Sequence, residues 1–214
     1  MLQGYGMTEL SPVSHVLPMD RTDLSIGSIG LAVPNVECKV VDPGTGEEIS
    51  WEPGTRSAAG ELWVRSPGVM AGYLGNERAT ADTIDADGFL HTGDIVEVGE
   101  QGEVYVVDRL KELIKYKGYQ VAPAELEALL VGHPQIADAA VIGVPDEDAG
   151  EVPKGFIVAS GDVTPDEVTA WVAERVSPYK RLRAVEIVDE IPKSASGKIL
   201  RRLLVDKERS AAAQ

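Results

Sequence analysis

The sequence predicts an α+β protein: a β-rich, barrel-like part over residues 1–107, followed by a small α+β part over residues 108–214. In the first part, short runs rich in β-branched and aromatic residues alternate with turn clusters that contain Gly and Pro. In the second part, similar runs alternate with three segments of helical periodicity. The chain has 214 residues. Since length predicts roughly one domain per 150 residues, the chain is one large domain or two small ones.

The first part offers several short strands and one helical segment. Turn clusters at residues 42–46 and 52–55 separate the early runs. The sequence Glu100-Gln101-Gly102 separates two later runs at hairpin spacing. The expected elements are strands at residues 36–41, 61–65, 95–98 and 104–107 and a short helix at about 76–83.

The second part carries clearer helix signals. Pro123 stands where a first helical position is expected, and Thr164 with Glu167 forms a capping box around a second such proline, Pro165. Gly118 separates two short apolar runs and predicts a hairpin. The expected elements are strands at 113–116, 119–121, 136–144, 152–160 and 185–188, and helices from 123 to about 132, from 164 to about 176, and at 199–208.

Charge and composition exclude several classes of protein. Twenty Lys and Arg stand against 35 Asp and Glu, the opposite of the balance in nucleic-acid-binding proteins. No run approaches the 18 apolar residues of a membrane span, and no secretory leader is expected at the N-terminus. A single cysteine, Cys38, excludes an intrachain disulfide and a cysteine-cluster metal site. These features predict a cytoplasmic protein.

The basic residues concentrate in the second part. Residues 1–107 hold 5 basic and 17 acidic residues, whereas residues 108–214 hold 15 and 18. Solvated faces on a second domain explain this distribution, and so does a lysine-bearing lid that closes over an anionic ligand. Charge alone favours the solvated faces.

The first of four candidate motifs is Gln3-Gly4-Tyr5-Gly6-Met7-Thr8-Glu9. Two glycines around an aromatic ring let a backbone approach a ligand closely while the ring offers a stacking face. The threonine and the glutamate supply a hydroxyl donor for phosphate and a hard oxygen for Mg²⁺. Taken alone, a Gly-rich turn with one packed tyrosine is the simpler interpretation.

The second and third motifs place charged side chains near the middle of the chain. Asp94, at the end of His91-Thr92-Gly93-Asp94, offers a carboxylate to the two hydroxyls of a ribose, or simply caps its own turn. Arg109 and Lys111 open a lysine-rich segment over residues 108–120. That segment is either a charged linker or a functional hinge, and the density of lysines beside a glycine favours function.

The fourth motif covers residues 192–198 and ends in Lys198. It is not a phosphate-binding P-loop, because that motif requires Gly where Pro192 stands and Ser or Thr where Ile199 stands. What remains is a lysine on a Ser- and Gly-rich loop. Such a loop can bring a positive charge to a reacting phosphate or carboxylate.

In order and spacing, the four motifs together resemble the adenylate-forming superfamily, which includes acyl-CoA synthetases, firefly-luciferase-like enzymes and peptide-synthetase adenylation domains. The chain is most similar to 4-coumarate–CoA ligase and to medium- or long-chain acyl-CoA synthetases, from residue 2 to about residue 205. The segment 115–123 is closer to the CoA-ligase branch than to adenylation domains that serve a peptidyl carrier.

This resemblance implies a role for each matching position. Tyr5 would stack on adenine, Gly4 and Gly6 would line its pocket, Thr8 would contact the α-phosphate and Glu9 would hold Mg²⁺. Asp94 would accept the ribose hydroxyls with help from Arg109, and Lys111 would mark the hinge of the C-terminal domain. Lys115 and Gly118 would face the site during thioester formation, and Lys198 would be the lysine of the adenylation step.

The resemblance also implies the organisation and the reaction. Residues 1–107 would be the last, β-barrel-like subdomain of a larger AMP-binding domain, and residues 108–214 the mobile C-terminal domain. The substrates would be ATP, coenzyme A and a fatty or aryl carboxylic acid.

Family members carry a Ser/Thr/Gly-rich phosphate-binding loop that this sequence lacks. We therefore expect the C-terminal portion of a ligase, inactive or weakly active alone; the alternatives are a non-catalytic AMP- or CoA-binding remnant and one half of a split enzyme. Self-association or a separate N-terminal half is the expected protein partner.

Overall fold

A computed structural model describes residues 3–195 and 197–212, with the side chains of 211 and 212 left out. Two compact units make up the chain, Met1–Leu110 and Lys111–Gln214. The division lies three residues beyond the end of the β-rich part expected from the sequence. Ser196, which belongs to the fourth motif, lies outside the described residues.

The described residues of the first unit form two antiparallel sheets and one short α-helix. Backbone hydrogen bonds from Ile29 N to Val104 O and from Val104 N to Gly30 O join the two sheets. The three-stranded sheet has the order β1 (Gly4–Gly6), β2 (Val13–Val16), β3 (Leu31–Ala32), and the four-stranded sheet has the order β4 (Glu37–Val41), β5 (Gly60–Arg65), β6 (Leu90–Val98), β7 (Val104–Arg109). Helix α1 (Glu77–Thr83) begins at Asn76, whose side chain accepts a hydrogen bond from Ala79 N at 3.0 Å.

The second unit is built on one mixed sheet. Its strands are β8 (Ile114–Tyr116), β9 (Tyr119–Val121), β10 (Ile136–Asp146), β11 (Gly150–Ala159) and β12 (Ala184–Ile187), and its helices are α2 (Pro123–Val131), α3 (Pro165–Ala173) and α4 (Arg201–Ala212). The strand order is β10-β11-β8-β9, and β12 pairs with β11 in parallel. The remaining pairs are antiparallel.

Alternation along β10 and β11 sends apolar side chains to both faces of this sheet. Ile157 packs in a cluster that contains Leu126 and Leu130 of α2 and residues of α3. Its neighbour Phe156 packs in a separate cluster with Leu204 of α4. The sheet therefore has α2 and α3 on one face and α4 on the other.

These observations confirm the α+β class. The described strands of the first unit follow a linear order that does not close, so the expected barrel-like closure is not seen in them. Pro123 is the first residue of α2, as expected, and α3 has both bonds of the expected Thr164–Glu167 capping box. Helix α3 ends three residues earlier than expected, and β6 begins five residues earlier. No helix in the described residues is long and apolar enough to cross a membrane.

Candidate functional site

Three residues of the predicted site meet within the first unit. The Tyr5 hydroxyl donates to Asp94 Oδ2 at 2.6 Å. Arg109 Nε lies 3.0 Å from Asp94 Oδ1, and the two residues are directly opposed in the β6–β7 ladder. The Asp94 side chain is only 6% exposed, whereas that of Arg109 is 63% exposed. The carboxylate is thus held by a phenol on one oxygen and a guanidinium on the other.

A bulge in β6 aims Asp94 at these partners. The register of β5 against β6 shifts between Glu61 and Trp63, and Gly93 adopts a φ of 70° at the same place. Thr92 Oγ1 accepts from Asp94 N at 3.1 Å, and Glu61 Oε1 accepts from Gly93 N at 2.9 Å. The sequence predicts a turn after a strand at residues 91–94. The structure instead shows an irregularity inside a longer strand.

Tyr5 is held as a neutral hydroxyl donor. Burial of its ring and the adjacent Asp94 carboxylate both raise the pKa of Tyr5 well above its ordinary value of 10.0. A carboxylate oxygen has two lone pairs, so Asp94 retains acceptor capacity for hydroxyl groups beyond its two protein partners.

The two glycines beside Tyr5 differ in how much room their surroundings leave for a side chain. A Cβ at Gly6 would lie 1.8 Å from the Pro12 carbonyl oxygen, so the close pairing of β1 with β2 requires glycine there. A Cβ at Gly4 would meet only ordinary contacts, the nearest being His15 O at 3.6 Å. Internal packing therefore accounts for Gly6 and leaves Gly4, which is exposed, without such a constraint.

Thr8 and Glu9 follow on a single 3₁₀ turn, Thr8–Leu10, which buried Leu10 anchors. Thr8 is exposed and Glu9 is half-buried. Tyr73 donates its hydroxyl to Glu9 Oε1 at 2.8 Å, and Met70 N donates to Glu9 O at 2.8 Å. The hydrogen bond to Glu9 raises the pKa of Tyr73. No sequence pattern singles out Tyr73, because its contact with Glu9 spans 64 residues.

The Glu9 carboxylate is the kind of ligand that holds Mg²⁺ when the ion is also bound by phosphate oxygens. Mg²⁺ in phosphate-transfer sites is held by one or two carboxylates together with substrate oxygens and water. Tyr73 occupies one oxygen of Glu9, and the second oxygen remains for a metal. Among the described residues, no three His, Cys, Asp or Glu side chains are grouped so that they alone would hold a metal ion.

The predicted site lysines at the start of the second unit are exposed. Lys111 lies in the 3₁₀ turn Leu110–Glu112. Lys115 lies on β8, where its backbone N–H donates to Glu151 Oε2 at 2.9 Å. Lys117 and Gly118 have φ values of 47° and 83°, which gives the tight β8–β9 hairpin the backbone of a type I′ turn. The expected hairpin is confirmed.

Lys198 lies at the end of a small backbone-closed loop. Ser194 N donates to Lys198 O at 2.8 Å, and Lys198 N donates to Ser194 Oγ at 3.1 Å. Gly197, at φ 83°, supplies the turn. The side chain of Lys198 is exposed, so the loop fixes the backbone of this lysine and leaves its ammonium group accessible.

A group of charged side chains that the sequence did not indicate lies next to this loop. Arg201, the first residue of α4, holds Glu127 through two bonds, Nε to Oε1 at 3.1 Å and Nη2 to Oε2 at 2.6 Å. Arg201 also pairs with Glu112, while Glu127 accepts from Val141 N at 2.8 Å. These partners are 74 and 89 positions from Arg201, beyond the reach of local sequence patterns.

Comparison with known proteins places this arrangement in a family. The chain matches the AMP-binding enzyme family over residues 1–74 and the AMP-binding enzyme C-terminal domain over residues 125–198. It is 50% identical over 206 residues to 4-coumarate–CoA ligase 1 of Glycine max, with 94% of this chain and 69% of that protein covered. The chain belongs to the AMP-binding, adenylate-forming enzyme family.

Other members of the AMP-binding family are longer than this chain. It is 51% identical over 206 residues to 4-coumarate–CoA ligase-like 2 of Arabidopsis thaliana, where 95% of the chain covers 36% of that protein. It thus spans little more than a third of the length of several curated plant relatives it matches.

Solved structures of the family share the fold. ATP-bound MatB from Rhodopseudomonas palustris matches with a TM-score of 0.86 and 30% identity over 97% of this chain and 40% of that chain. The o-succinylbenzoate CoA synthetase of Bacillus subtilis, in complex with its acyl-adenylate intermediate, matches with a TM-score of 0.77 and 33% identity over 95% of this chain and 40% of that chain.

Proposed function

We propose that this chain is the C-terminal part of an ATP-dependent carboxylate–CoA ligase. The observation that carries the proposal is the meeting of Tyr5, Asp94 and Arg109, a nucleoside-binding set by resemblance, within one unit of an AMP-binding enzyme. The Tyr5 ring offers an apolar face for adenine. The Asp94 carboxylate has lone pairs to spare for ribose hydroxyls, and the exposed Arg109 guanidinium is available to neighbouring oxygens.

The proposed reaction has two steps. In the first, a carboxylate oxygen of the acid attacks the α-phosphorus of ATP, and pyrophosphate leaves. In the second, the thiolate of coenzyme A attacks the acyl carbon of the adenylate, and AMP leaves with the bonding electrons. A magnesium ion, when bound, would neutralise charge on the phosphate oxygens.

Residues of this chain would serve the first step by binding and charge stabilisation. Thr8 would donate its hydroxyl to the α-phosphate, and Glu9, oriented by Tyr73, would offer its second oxygen to the metal. Lys198 would bring an ammonium group to the oxygens on which negative charge develops. Lysine suits this task because it presents a compact charge on a flexible stem.

Other residues would serve the second step. Lys115 and Gly118 lie on the exposed β8–β9 hairpin, and they would face the acyl-adenylate when the second unit turns about Lys111. The absence of a side chain at Gly118 would leave room for the pantetheine arm. A domain that presents two different faces in turn explains why lysines occur both at the hairpin and on the 194–198 loop.

Binding of AMP to the chain itself tests the nucleoside site. We expect isothermal titration with AMP to give weak binding that Asp94→Ala abolishes. Asp82→Ala is the matched control, because Asp82 lies on the exposed face of α1, and it should leave the affinity unchanged. Equal affinity in the wild type and in Asp94→Ala would overturn the assignment of Asp94.

The reaction itself requires the rest of the enzyme. Because the chain spans about a third of several relatives, we propose that it has little activity alone, and ATP–pyrophosphate exchange with a panel of fatty and aryl acids should give no turnover. In a complete ligase with these residues, Lys198→Ala should slow exchange at least a hundredfold, since loss of one electrostatic contact to a transition state costs about 10²–10³ in rate. Lys193→Ala, which removes the neighbouring exposed lysine, is the control. The single reduced cysteine is consistent with a cytoplasmic location, which forms part of the proposal.

A further inference from the structure

We propose that two ion pairs, one in each unit, confine the hinge of this chain to Leu110 and Lys111, with Glu112 and Arg201 as positioning residues. The inference rests on the proposed function in two assignments, Lys111 as a hinge and Lys198 as the adenylation lysine. The two ion pairs themselves are Asp94–Arg109 in the first unit and Glu112–Arg201 in the second.

The first ion pair fixes the chain just before the hinge. Arg109 is the last residue of β7 and is directly opposed to Asp94 of β6. Its Nε lies 3.0 Å from Asp94 Oδ1, and its backbone N–H donates to Asp108 Oδ1 at 2.7 Å. Because Asp94 is also bonded to Tyr5, Arg109 is tied to both sheets of the first unit.

The second ion pair fixes the chain just after the hinge. Glu112 is the last residue of the 3₁₀ turn and pairs with Arg201. The Arg201 side chain is 18% exposed and that of Glu127, its second partner, is 10% exposed. Glu127 in turn accepts from Val141 N. Through Arg201, Glu112 is therefore attached to the start of α4, to α2 and to β10.

Two residues remain between the attachments. Leu110 is half-buried, and Lys111 is exposed. A rotation of the second unit that leaves both ion pairs intact would therefore be taken up chiefly by the φ and ψ angles of these residues. In each pair one partner is shielded from water, since the Asp94 side chain is 6% exposed and that of Arg201 is 18% exposed.

The same contact links the hinge to the adenylation lysine. Arg201 is three residues after Lys198, and it joins Glu112, one residue after Lys111, to the helix that follows the 194–198 loop. Glu112 and Arg201 thus give the loop and the end of the hinge one common support within the second unit. Rotation about the hinge would carry Lys198 as part of a rigid body.

Limited trypsin digestion of this chain tests the proposal. Mass spectrometry measures the rate of cleavage after Lys111. Cleavage of a folded chain reports the population of locally opened forms. Glu112→Gln removes the negative charge that pairs with Arg201 and leaves the bonds of Arg201 to Glu127. We expect cleavage after Lys111 to become roughly tenfold faster, which corresponds to about 1.4 kcal/mol.

Two further variants make the result decisive. Glu125→Gln removes an ion pair with Lys180 elsewhere in the second unit and should leave the cleavage rate after Lys111 unchanged. Arg201→Lys leaves the sequence on both sides of the Lys111 bond unchanged, so the preference of trypsin for Gln over Glu after the cleaved lysine does not contribute to its rate. Because this variant weakens the pair with Glu112 but retains one charge there, it should also be cleaved faster than the wild type, and a wild-type rate in Arg201→Lys would overturn the proposal. Amide hydrogen exchange at Phe156 and Ile157 follows the stability of the second unit and should be the same in Glu112→Gln and Glu125→Gln.

The proposal fails if Glu112→Gln is cleaved at the wild-type rate, or if Glu125→Gln accelerates cleavage equally. It also fails if the acceleration in Glu112→Gln is matched by faster exchange at Phe156, because the whole unit would then be opening. These measurements use neither nucleotide nor turnover. The hinge proposal can therefore be contradicted while AMP binding is confirmed, and AMP binding can be contradicted while the hinge proposal is confirmed.

Discussion

The Tyr5 hydroxyl and the Asp94 carboxylate are 89 positions apart in the chain and 2.6 Å apart in the fold. Their hydrogen bond joins the three-stranded sheet to the bulge in β6. Both residues belong to the candidate nucleoside site, and both also hold the first unit together. Site and scaffold therefore share the same contact, and substitutions there should alter stability as well as binding.

Removal of the Tyr5 hydroxyl should destabilise the first unit. In Tyr5→Phe the ring still packs, but Asp94 loses a charge-assisted donor, and a hydrogen bond to a charged group contributes about 1.5–3 kcal/mol. Urea unfolding followed by amide exchange at Leu62, which is fully buried in the first unit, should show a loss of roughly 1.5 kcal/mol. Tyr119→Phe, at an exposed position of the second unit, is the control, and an equal effect there would contradict the prediction.

Replacement of Gly6 should be far more damaging than replacement of Gly4. In Gly6→Ala the new methyl group would lie 1.8 Å from Pro12 O, so the β1–β2 pair must separate. We expect a loss of at least about 3 kcal/mol, at the upper end of overpacking effects. Gly4→Ala, two residues away on the same strand, should change the free energy of unfolding by less than about 1 kcal/mol. Similar unfolding midpoints for both variants would show that β1 pairs differently.

Acid should weaken the first unit through His15. The ring is 1% exposed, and burial lowers the pKa of His15 from 6.5 to about 4. The unfolded chain therefore binds a proton at pH 6.5, whereas the folded chain binds it only near pH 4. The contribution of His15 is fully present above pH 6.5 and is lost as the pH falls towards 4, on the order of 3 kcal/mol in total.

His15→Gln tests this dependence. The variant lacks the titrating ring, so the free energy of unfolding of the first unit, measured by urea at pH 7, 6, 5 and 4, should fall less steeply than in the wild type. His133→Gln changes a residue of the second unit, so the free energy of unfolding of the first unit should depend on pH as it does in the wild type. If the His15→Gln curve runs parallel to the wild-type curve, folding does not lower the pKa of His15.

Loss of Glu127 should destabilise the second unit strongly. Glu127→Ala leaves Arg201 with one partner fewer and removes the acceptor of Val141 N. Breaking a buried ion pair from one side costs about 3–5 kcal/mol. Because Arg201 keeps Glu112, we expect a loss of roughly 3 kcal/mol, read from amide exchange at Ile157. Glu125→Ala, two positions away and paired on the surface with Lys180, should cost no more than about 1 kcal/mol.

The sequence was sufficient where local chemistry decides the structure. Pro123 predicted the first residue of α2, and Thr164 with Glu167 predicted the cap of α3, since capping involves residues three positions apart. Gly118 predicted the β8–β9 hairpin, because a type I′ turn requires positive φ values. The four motifs were enough to place the chain in its family.

Where partners are distant, the sequence was insufficient. The Gly4–Gly6 segment forms a strand only because β2 pairs with it, and the parallel pairing of β12 with β11 carries no local signal. The contacts of Tyr73 with Glu9 and of Arg201 with Glu112 join positions that are 64 and 89 residues apart. Each depends on the tertiary fold, which a motif or a periodic pattern does not encode.

The division of the second unit into two apolar clusters has a consequence for synthesis. A nascent chain emerges from the ribosome with its N-terminal segments first. Once residues 111–187 are available, the cluster around Ile157 has its strands and both helices, whereas the face that carries Phe156 is covered only after Ile191 and then Leu204 follow. While residues up to about 187 have left the ribosome and the segment that carries Leu204 has not, the sheet is covered on one face only, and the apolar face around Phe156 is open to chaperones.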